Sequence, residues 1–91
     1  MSCKVKIPSP LRRHAGGAAQ IEVPGERVRD AFDHLQASYP AIGERLFDAD
    51  GQVRSHLLVF LNNEDIRFLD GLDTPLREGD TVVLLPALAG G

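Results

Sequence analysis

The feature that most constrains the fold is one amphipathic segment, residues 27–39. Its apolar residues recur at spacings of three and four, which places them along one side of a helix and leaves the polar residues on the other side. We expect Pro40 to end this helix, because the residue before a proline is driven out of the helical region. A helix with one apolar side needs a second layer to cover it. The apolar stripe consists of Val28, Ala31, Phe32, Leu35 and Tyr39.

Two short segments before the helix alternate apolar and polar residues, which is the pattern of a half-buried strand. They span residues 2–8 and 19–23, and a basic loop at residues 11–17 separates them. We expect them to pair as an antiparallel hairpin. The same alternation places the only cysteine, Cys3, on the apolar face, so we expect an inert buried thiol rather than a persulfide carrier.

Three further strands are predicted after the helix. Residues 57–61 are an unbroken apolar run, which indicates a strand covered on both faces and lying inside the sheet. Residues 65–69 predict a minor strand and residues 81–85 the last one, while residues 42–47 suggest a short turn. Residues 74–79 begin with Thr and Pro and end with Gly, the order typical of a one-turn helix.

This order of elements predicts an α+β fold of two layers. We expect a β-grasp arrangement, in which one long helix packs across one face of a mixed sheet of four to five strands. A chain of 91 residues supports one hydrophobic core. The predicted organisation is therefore one domain at residues 1–86 followed by a flexible tail at residues 87–91.

Composition and charge narrow the classes of function. The apolar share of 43% and the charged share of 25% are those of an ordinary globular protein. The net charge of −3 comes from acidic and basic residues spread along the chain, so we expect no nucleic-acid partner. No apolar run approaches the roughly 20 residues of a membrane span, and no signal-peptide pattern opens the chain. We therefore expect no membrane partner and a cytoplasmic location.

The sequence shows no catalytic or metal-binding constellation. One cysteine excludes an internal disulfide, and no second thiol stands at metal-ligand spacing. The histidines His14, His34 and His56 match neither a zinc motif nor a nucleophile with its base, so we expect ordinary surface residues. We predict no metal site and no enzymatic activity of the chain itself.

The end of the chain is the informative part, because it closes with Ala89, Gly90 and Gly91. Two terminal glycines arise by chance in roughly one of 200 chains. Together with the turn at residues 79–80, the last sixteen residues resemble the C-terminal signature of the ubiquitin-like sulfur carriers of the MoaD/ThiS type. Residues 11–17 and 62–68 resemble more narrowly the CysO-like carriers that supply sulfur for cysteine synthesis from O-phosphoserine.

The resemblance implies a ubiquitin-like β-grasp fold and a function that resides in the C-terminal carboxylate of Gly91. In the family, an E1-like adenylyltransferase and sulfurtransferase activates this carboxylate with ATP, and sulfur then replaces AMP. The resulting thiocarboxylate donates sulfur to an acceptor enzyme, here a PLP-dependent cysteine synthase. The carrier then needs no permanently bound cofactor, since ATP is used by the activating partner. Gly90 and Gly91 suit this role because an extended chain without side chains passes through a narrow channel.

A docking surface for these partners is also expected. The apolar runs at residues 57–61 and 82–85 leave one face of the sheet for loops or for a partner. The residues chosen for a partner-binding patch are Leu58, Phe60, Leu84 and Leu88. Three arginines, Arg12, Arg13 and Arg67, are candidates for pairing with acidic groups of a partner, the alternative being plain solvated charge.

Three other functions remain open at this point. The chain is compatible with the small subunit of a molybdopterin synthase, whose tail enters the active site of the large subunit. It is also compatible with a ubiquitin-like modifier conjugated through Gly91 to lysines of other proteins. A β-grasp interaction domain with inactive glycines is the simplest alternative.

Overall fold

The computed structural model describes residues 2–86, in which the amphipathic segment forms helix α1, Val28–Ser38. Four residues of the predicted stripe are buried, and Tyr39 packs against the core at the end of the helix. The helix stops at Ser38 because Tyr39, which precedes a proline, has an extended φ of −135°. The N–H of Tyr39 donates to the carbonyl of Leu35 at 2.8 Å and closes the last turn.

Pro40 begins a second helix, α2, Pro40–Leu46, where the sequence predicted only a short turn. Proline fits the first position of a helix because the N–H that it lacks has no partner there. Helices α1 and α2 approach closely at Gly43. A Cβ on Gly43 would lie 2.7 Å from the Cβ of Gln36, so only glycine allows this approach.

Five strands form one mixed sheet. They are β1, Ser2–Lys6; β2, Gln20–Pro24; β3, Leu57–Leu61; β4, Glu64–Asp65; and β5, Thr81–Pro86. The order across the sheet is β2-β1-β5-β3-β4. Strands β1 and β5 are parallel and the other pairs are antiparallel, which confirms the predicted β1–β2 hairpin. The last strand therefore lies at the centre of the sheet.

One face of the sheet shares a single hydrophobic core with the helices. On this face Val59 lies opposite Leu84, with 3% and 1% of their surfaces exposed. The ring of Phe32 is fully buried and meets Phe47 edge-on, with ring centroids 5.9 Å apart. The predicted core residues Val28, Phe32, Leu35 and Val59 are all buried, which confirms that prediction.

Strand β3 lies inside the sheet as predicted, but the expectation that both of its faces are covered is wrong. Leu57, Val59 and Leu61 are buried, whereas Leu58 and Phe60 are only partly buried. Both helices contribute to the core on the other side of the sheet. The face of β3 that carries Leu58 and Phe60 is therefore only partly covered, and we call it the open face.

The predicted one-turn helix at residues 74–79 does not form. The Thr74 hydroxyl instead accepts a hydrogen bond from the N–H of Asp70 at 3.0 Å and donates to the carbonyl of Gly71 at 2.7 Å. Thr74 thus closes the preceding 3₁₀ turn, Gly71–Asp73, rather than opening a new helix. Gly79 has a φ of +83° and leaves this segment in the predicted left-handed conformation.

Two other predicted segments differ in detail. The basic loop is a 3₁₀ helix, Ser9–Ala15, and the minor strand is limited to β4 before the 3₁₀ turn Ile66–Phe68. Strands β3 and β4 are joined by Asn62 and Asn63, both at positive φ, which is the turn that short hairpins favour. Within the described part of the chain, no helix has the length and apolarity needed to cross a membrane.

Candidate functional site

The predicted reactive end of the chain follows directly from the central strand. Strand β5 ends at Pro86, which lies opposite Leu57 of β3. Ala89, Gly90 and Gly91, together with Leu88 of the predicted patch, fall outside the described residues. The place where the tail begins is nevertheless fixed, because β5 is held between β1 and β3.

The open face of the sheet carries an apolar surface next to this point. Leu58 lies opposite Leu85, and Phe60 lies opposite Val83, so all four side chains point away from the helices. Leu85 is 42% exposed and the other three are partly buried. We call these four residues the open-face patch. Its placement agrees with the prediction for Leu58 and Phe60 and adds Val83 and Leu85.

The predicted place of Leu84 on this surface is wrong. Leu84 is 1% exposed and lies in the core opposite Val59. Side chains alternate between the two faces of a strand, so a choice shifted by one residue selects the wrong face. Residues 82–85 are apolar at both odd and even positions, so the sequence does not decide which face of the strand is buried. Pairing with Val5, which is buried in β1 opposite Val82, settles the orientation.

Charged residues flank the open-face patch on both sides. On the β1 side, Lys4 and Lys6 lie opposite Thr81 and Val83 and are exposed. On the β4 side, Asp65 lies opposite Phe60 and is itself buried, and its ion-pair partner Arg67 carries the exposed charge. An apolar centre with a charged rim is the usual build of a protein-binding surface.

Arg67, one of the predicted partner-binding arginines, is held by Asp65. Its Nη2 lies 2.7 Å from Asp65 Oδ2, and its Nε and backbone N–H also donate to this carboxylate. Hydrogen bonds from Arg67 lower the pKa of Asp65 below its usual value. The Arg67 side chain is 68% exposed, so it still presents a charge at the rim of the patch.

The two neighbouring arginines of the first 3₁₀ helix have different surroundings. Arg12 Nε donates to the carbonyl of Ile7 at 3.0 Å and ties this helix to the end of β1. Arg13 Nε donates to His14 Nε2 at 3.3 Å. The Arg12 side chain therefore stabilises the fold, whereas Arg13 lines a surface pocket beside Pro86, where the tail begins.

This tail-exit pocket has a volume of about 310 Å³ and reaches Pro86. Arg13, His14, Arg45 and His56 line it, together with apolar residues that include Leu11 and Leu57. Desolvation, followed by the charges of Arg45 and Arg13, lowers the pKa of His14. Sequence reasoning missed this cluster because its members come from three separate segments, and no spacing along the chain connects them.

Cys3 is buried, as predicted from the strand alternation, with 1% of its surface exposed. Burial and the nearby carboxylates of Asp80, Glu22 and Glu78 raise the pKa of this thiol to about 11. A thiol with this pKa holds its proton at neutral pH and is a poor nucleophile. Among residues 2–86, no group of three or more potential metal ligands comes together.

Comparison with known proteins gives the family. A model of the ThiS family matches residues 5–91, which is nearly the whole chain. The sulfur carrier protein CysO of Mycobacterium tuberculosis is 39% identical over 93 residues, covering 100% of both chains. The chain belongs to the ThiS family.

Solved structures of relatives agree with this ThiS family fold. One is the crystal structure of the Amycolatopsis orientalis BexX/CysO complex, with a TM-score of 0.89 and 36% identity over 98% of this chain and 99% of that chain. Another is SAMP1 from Haloferax volcanii, with a TM-score of 0.84 and 30% identity over 100% of both chains. The predicted family and the ubiquitin-like β-grasp fold are confirmed, with two helices in place of one. Like these ThiS family relatives, the chain is a small carrier protein and not an enzyme.

Proposed function

We propose that this protein is a sulfur carrier whose working group is the C-terminal carboxylate of Gly91. The observation that carries the proposal is the match to the ThiS family, which runs through residue 91 and so includes the Gly90–Gly91 end. The full-length likeness to a sulfur carrier protein supports the same function. We propose a PLP-dependent cysteine synthase as the acceptor of the sulfur, in keeping with the resemblance of residues 11–17 and 62–68 to carriers for cysteine synthesis.

The chemistry requires activation, because a carboxylate is a poor electrophile. An oxygen of the Gly91 carboxylate attacks the α-phosphate of ATP in an E1-like enzyme, and pyrophosphate leaves. A sulfur nucleophile from that enzyme or its sulfur donor then attacks the carbonyl carbon, and AMP leaves with the bonding electron pair. When the nucleophile is sulfide, the product is the thiocarboxylate itself; when it is the outer sulfur of a persulfide, the product is an acyl disulfide, and a thiol reductant cleaves its S–S bond, forms a disulfide with the donor sulfur and releases the thiocarboxylate. ATP is consumed by the partner, so the carrier needs no resident cofactor, and we place the reaction in the cytoplasm, where ATP is available.

The folded body contributes recognition in this scheme. The open-face patch presents Leu58, Phe60, Val83 and Leu85 beside the start of the tail. Exposed apolar surface with a charged rim supports docking of a protein partner. Because β5 carries both Val83 and the beginning of the tail, a partner bound to the patch holds the tail in a defined direction.

A second function, protein modification through Gly91, is favoured by one specific observation. The chain is 30% identical over its whole length to SAMP1, a small archaeal modifier protein. Conjugation uses the same activated carboxyl group but transfers it to a lysine amine, forming an isopeptide bond. The two functions therefore share the activation step and differ in the nucleophile that follows.

The test is intact-mass spectrometry of the full chain after incubation with its E1-like enzyme, ATP and a sulfur source. Exchange of one terminal oxygen for sulfur supports the carrier function. Parent protein that never shows this exchange refutes it. Proteins that copurify with the chain identify the acceptor: a cysteine synthase, a molybdopterin synthase large subunit, or lysine-linked conjugates.

A further inference from the structure

The tail-exit pocket concentrates positive charge in an acidic protein. The chain has a net charge of −3 with its histidines neutral, yet the two cations Arg13 and Arg45 meet in one pocket of about 310 Å³, where His14 and His56 add ring nitrogens. Arg13 and His14 come from the 3₁₀ helix Ser9–Ala15 and Arg45 comes from α2, while His56 immediately precedes β3. None of the described residues that line the pocket is acidic. The arrangement fits an anionic group from outside the described residues.

The two arginines of the pocket have hydrogen-bond donors to spare. Within residues 2–86, ion pairs join only Arg29 to Asp73 and Arg67 to Asp65. Arg45 Nη1 donates to the carbonyl of Ala41 in its own helix at 3.2 Å, and no carboxylate of the described chain reaches its guanidinium. Among residues 2–86, Arg13 donates only to the ring of its neighbour, His14. A guanidinium presents five donors in a fixed fork, so most of them are available to a ligand.

The position of the pocket indicates what kind of anion it meets. Pro86, the residue at which β5 ends, forms part of its wall. Five residues, 87–91, separate this point from the carboxylate of Gly91 and span at most roughly 18 Å when fully extended. A partner whose active site holds Gly91 must therefore come close to the pocket. The pocket has room for a side chain, and its apolar walls, Leu11 and Leu57, strengthen a charged hydrogen bond there.

We propose that the tail-exit pocket binds an aspartate or glutamate side chain of the activating enzyme and so anchors the base of the tail during adenylation. Carboxylate is the chemistry that matches the arginine fork. This inference rests on the proposed function, which supplies the partner, but it concerns a surface separate from the open-face patch and from the reactive end.

The experiment measures the dissociation constant of the full chain for its E1-like enzyme by isothermal titration calorimetry. Charge reversals Arg13→Glu and Arg45→Glu are compared with Arg77→Glu, an exposed arginine outside the pocket. Each reversal in the pocket is expected to weaken binding about tenfold or more, because like charges then meet at the contact. Arg77→Glu is expected to stay within about twofold of the parent. Thermal unfolding checks that each variant is folded. If Arg45→Glu disturbs α2, the test rests on Arg13→Glu alone.

Each other outcome has a distinct meaning. Equal dissociation constants for pocket and control variants overturn the inference. Tighter binding by the pocket variants also overturns the inference. Such a result indicates that the pocket of the parent holds the chain's own Gly91 carboxylate and that charge reversal releases this carboxylate. A parent that binds the enzyme but never gains sulfur refutes the proposed function and leaves the pocket assignment standing. A parent that does not bind the enzyme overturns both.

Discussion

Leu84 lies directly opposite Val59 in the β5–β3 pair, and both side chains are buried against the helices. The next residue, Leu85, points to the opposite face and is 42% exposed. Two adjacent leucines of one strand therefore serve different purposes. Leu84 contributes to stability, whereas Leu85 belongs to the surface that we assign to partner docking.

The first prediction uses this pair as its own matched control. Leu84→Ala should lower the free energy of unfolding by about 2 to 5 kcal/mol, because it leaves a cavity in the core. Leu85→Ala should cost far less stability but weaken binding to the activating enzyme, because it removes exposed apolar surface. Urea unfolding and calorimetric titration measure the two effects. Equal stability losses would contradict the assigned orientation of β5.

The second prediction compares two phenylalanines. Phe32 is fully buried, whereas Phe68 is 83% exposed. Phe32→Ala should destabilise the fold by about 3 to 5 kcal/mol. Phe68→Ala should change stability by no more than about 0.5 kcal/mol, as is usual for surface substitutions. Thermal unfolding of both variants provides the check, and an unchanged melting temperature for Phe32→Ala would remove the basis for the assigned helix stripe.

The sequence was informative where hydrophobic spacing was regular. The stripe from Val28 to Leu35 predicted α1, and the alternation around Cys3 predicted β1 with a buried thiol, since each pattern leaves only one face to bury. The predicted orientation of Leu84 was wrong because residues 82–85 are apolar at both odd and even positions, so the pattern does not show which face is buried. The prediction of a short helix at residues 74–79 was wrong. A Thr before a Pro matches a helix start, and nothing in the local sequence shows that the Thr74 hydroxyl closes the preceding turn.

The candidate site also has one part that the sequence predicts and one part that it does not. The Gly90–Gly91 end was recognisable because it is a continuous stretch of sequence. The tail-exit pocket was not, because Arg13, Arg45 and His56 meet only after the 3₁₀ helix, α2 and β3 have packed together. Sites assembled from distant segments leave no spacing to recognise.

The third prediction concerns Cys3. With a pKa of about 11, the buried thiol should react with iodoacetamide in the native protein far more slowly than in the urea-unfolded protein. Cys3→Ala should lower stability modestly and still accept sulfur at the C-terminus. A variant that folds normally but carries no sulfur would instead establish a persulfide mechanism at this cysteine.

The fourth prediction is a pH dependence of stability at Asp65. Hydrogen bonds from Arg67 lower the pKa of Asp65 in the folded state below its ordinary value of 3.8. The unfolded state then binds more protons within the window between the two pKa values, so this contribution is present above pH 3.8 and is lost as the pH falls through the folded pKa. Asp65→Asn should therefore be less stable than the parent at neutral pH, and the difference should shrink in acid. Urea unfolding across this range measures it, and a difference independent of pH would contradict the assignment.

The fifth prediction tests the reactive end. Deleting Gly91 shortens the reach of the tail by about 3.3 to 3.6 Å, more than an active site tolerates. Adding one alanine after Gly91 converts the present carboxylate into an amide, which ATP does not activate. Neither change alters a residue of the core that the structure describes, so both variants should unfold within about 0.5 kcal/mol of the parent.

Intact-mass spectrometry after incubation with the E1-like enzyme, ATP and a sulfur source separates loss of activation from loss of docking. Both tail variants keep the open-face patch and the tail-exit pocket, so they should still bind the enzyme and compete with the parent for it. They should nevertheless show no exchange of terminal oxygen for sulfur. Leu85→Ala should show the reverse behaviour, with weaker binding but full exchange at saturating enzyme. Sulfur incorporation into the extended variant as readily as into the parent would place the reactive group elsewhere in the chain.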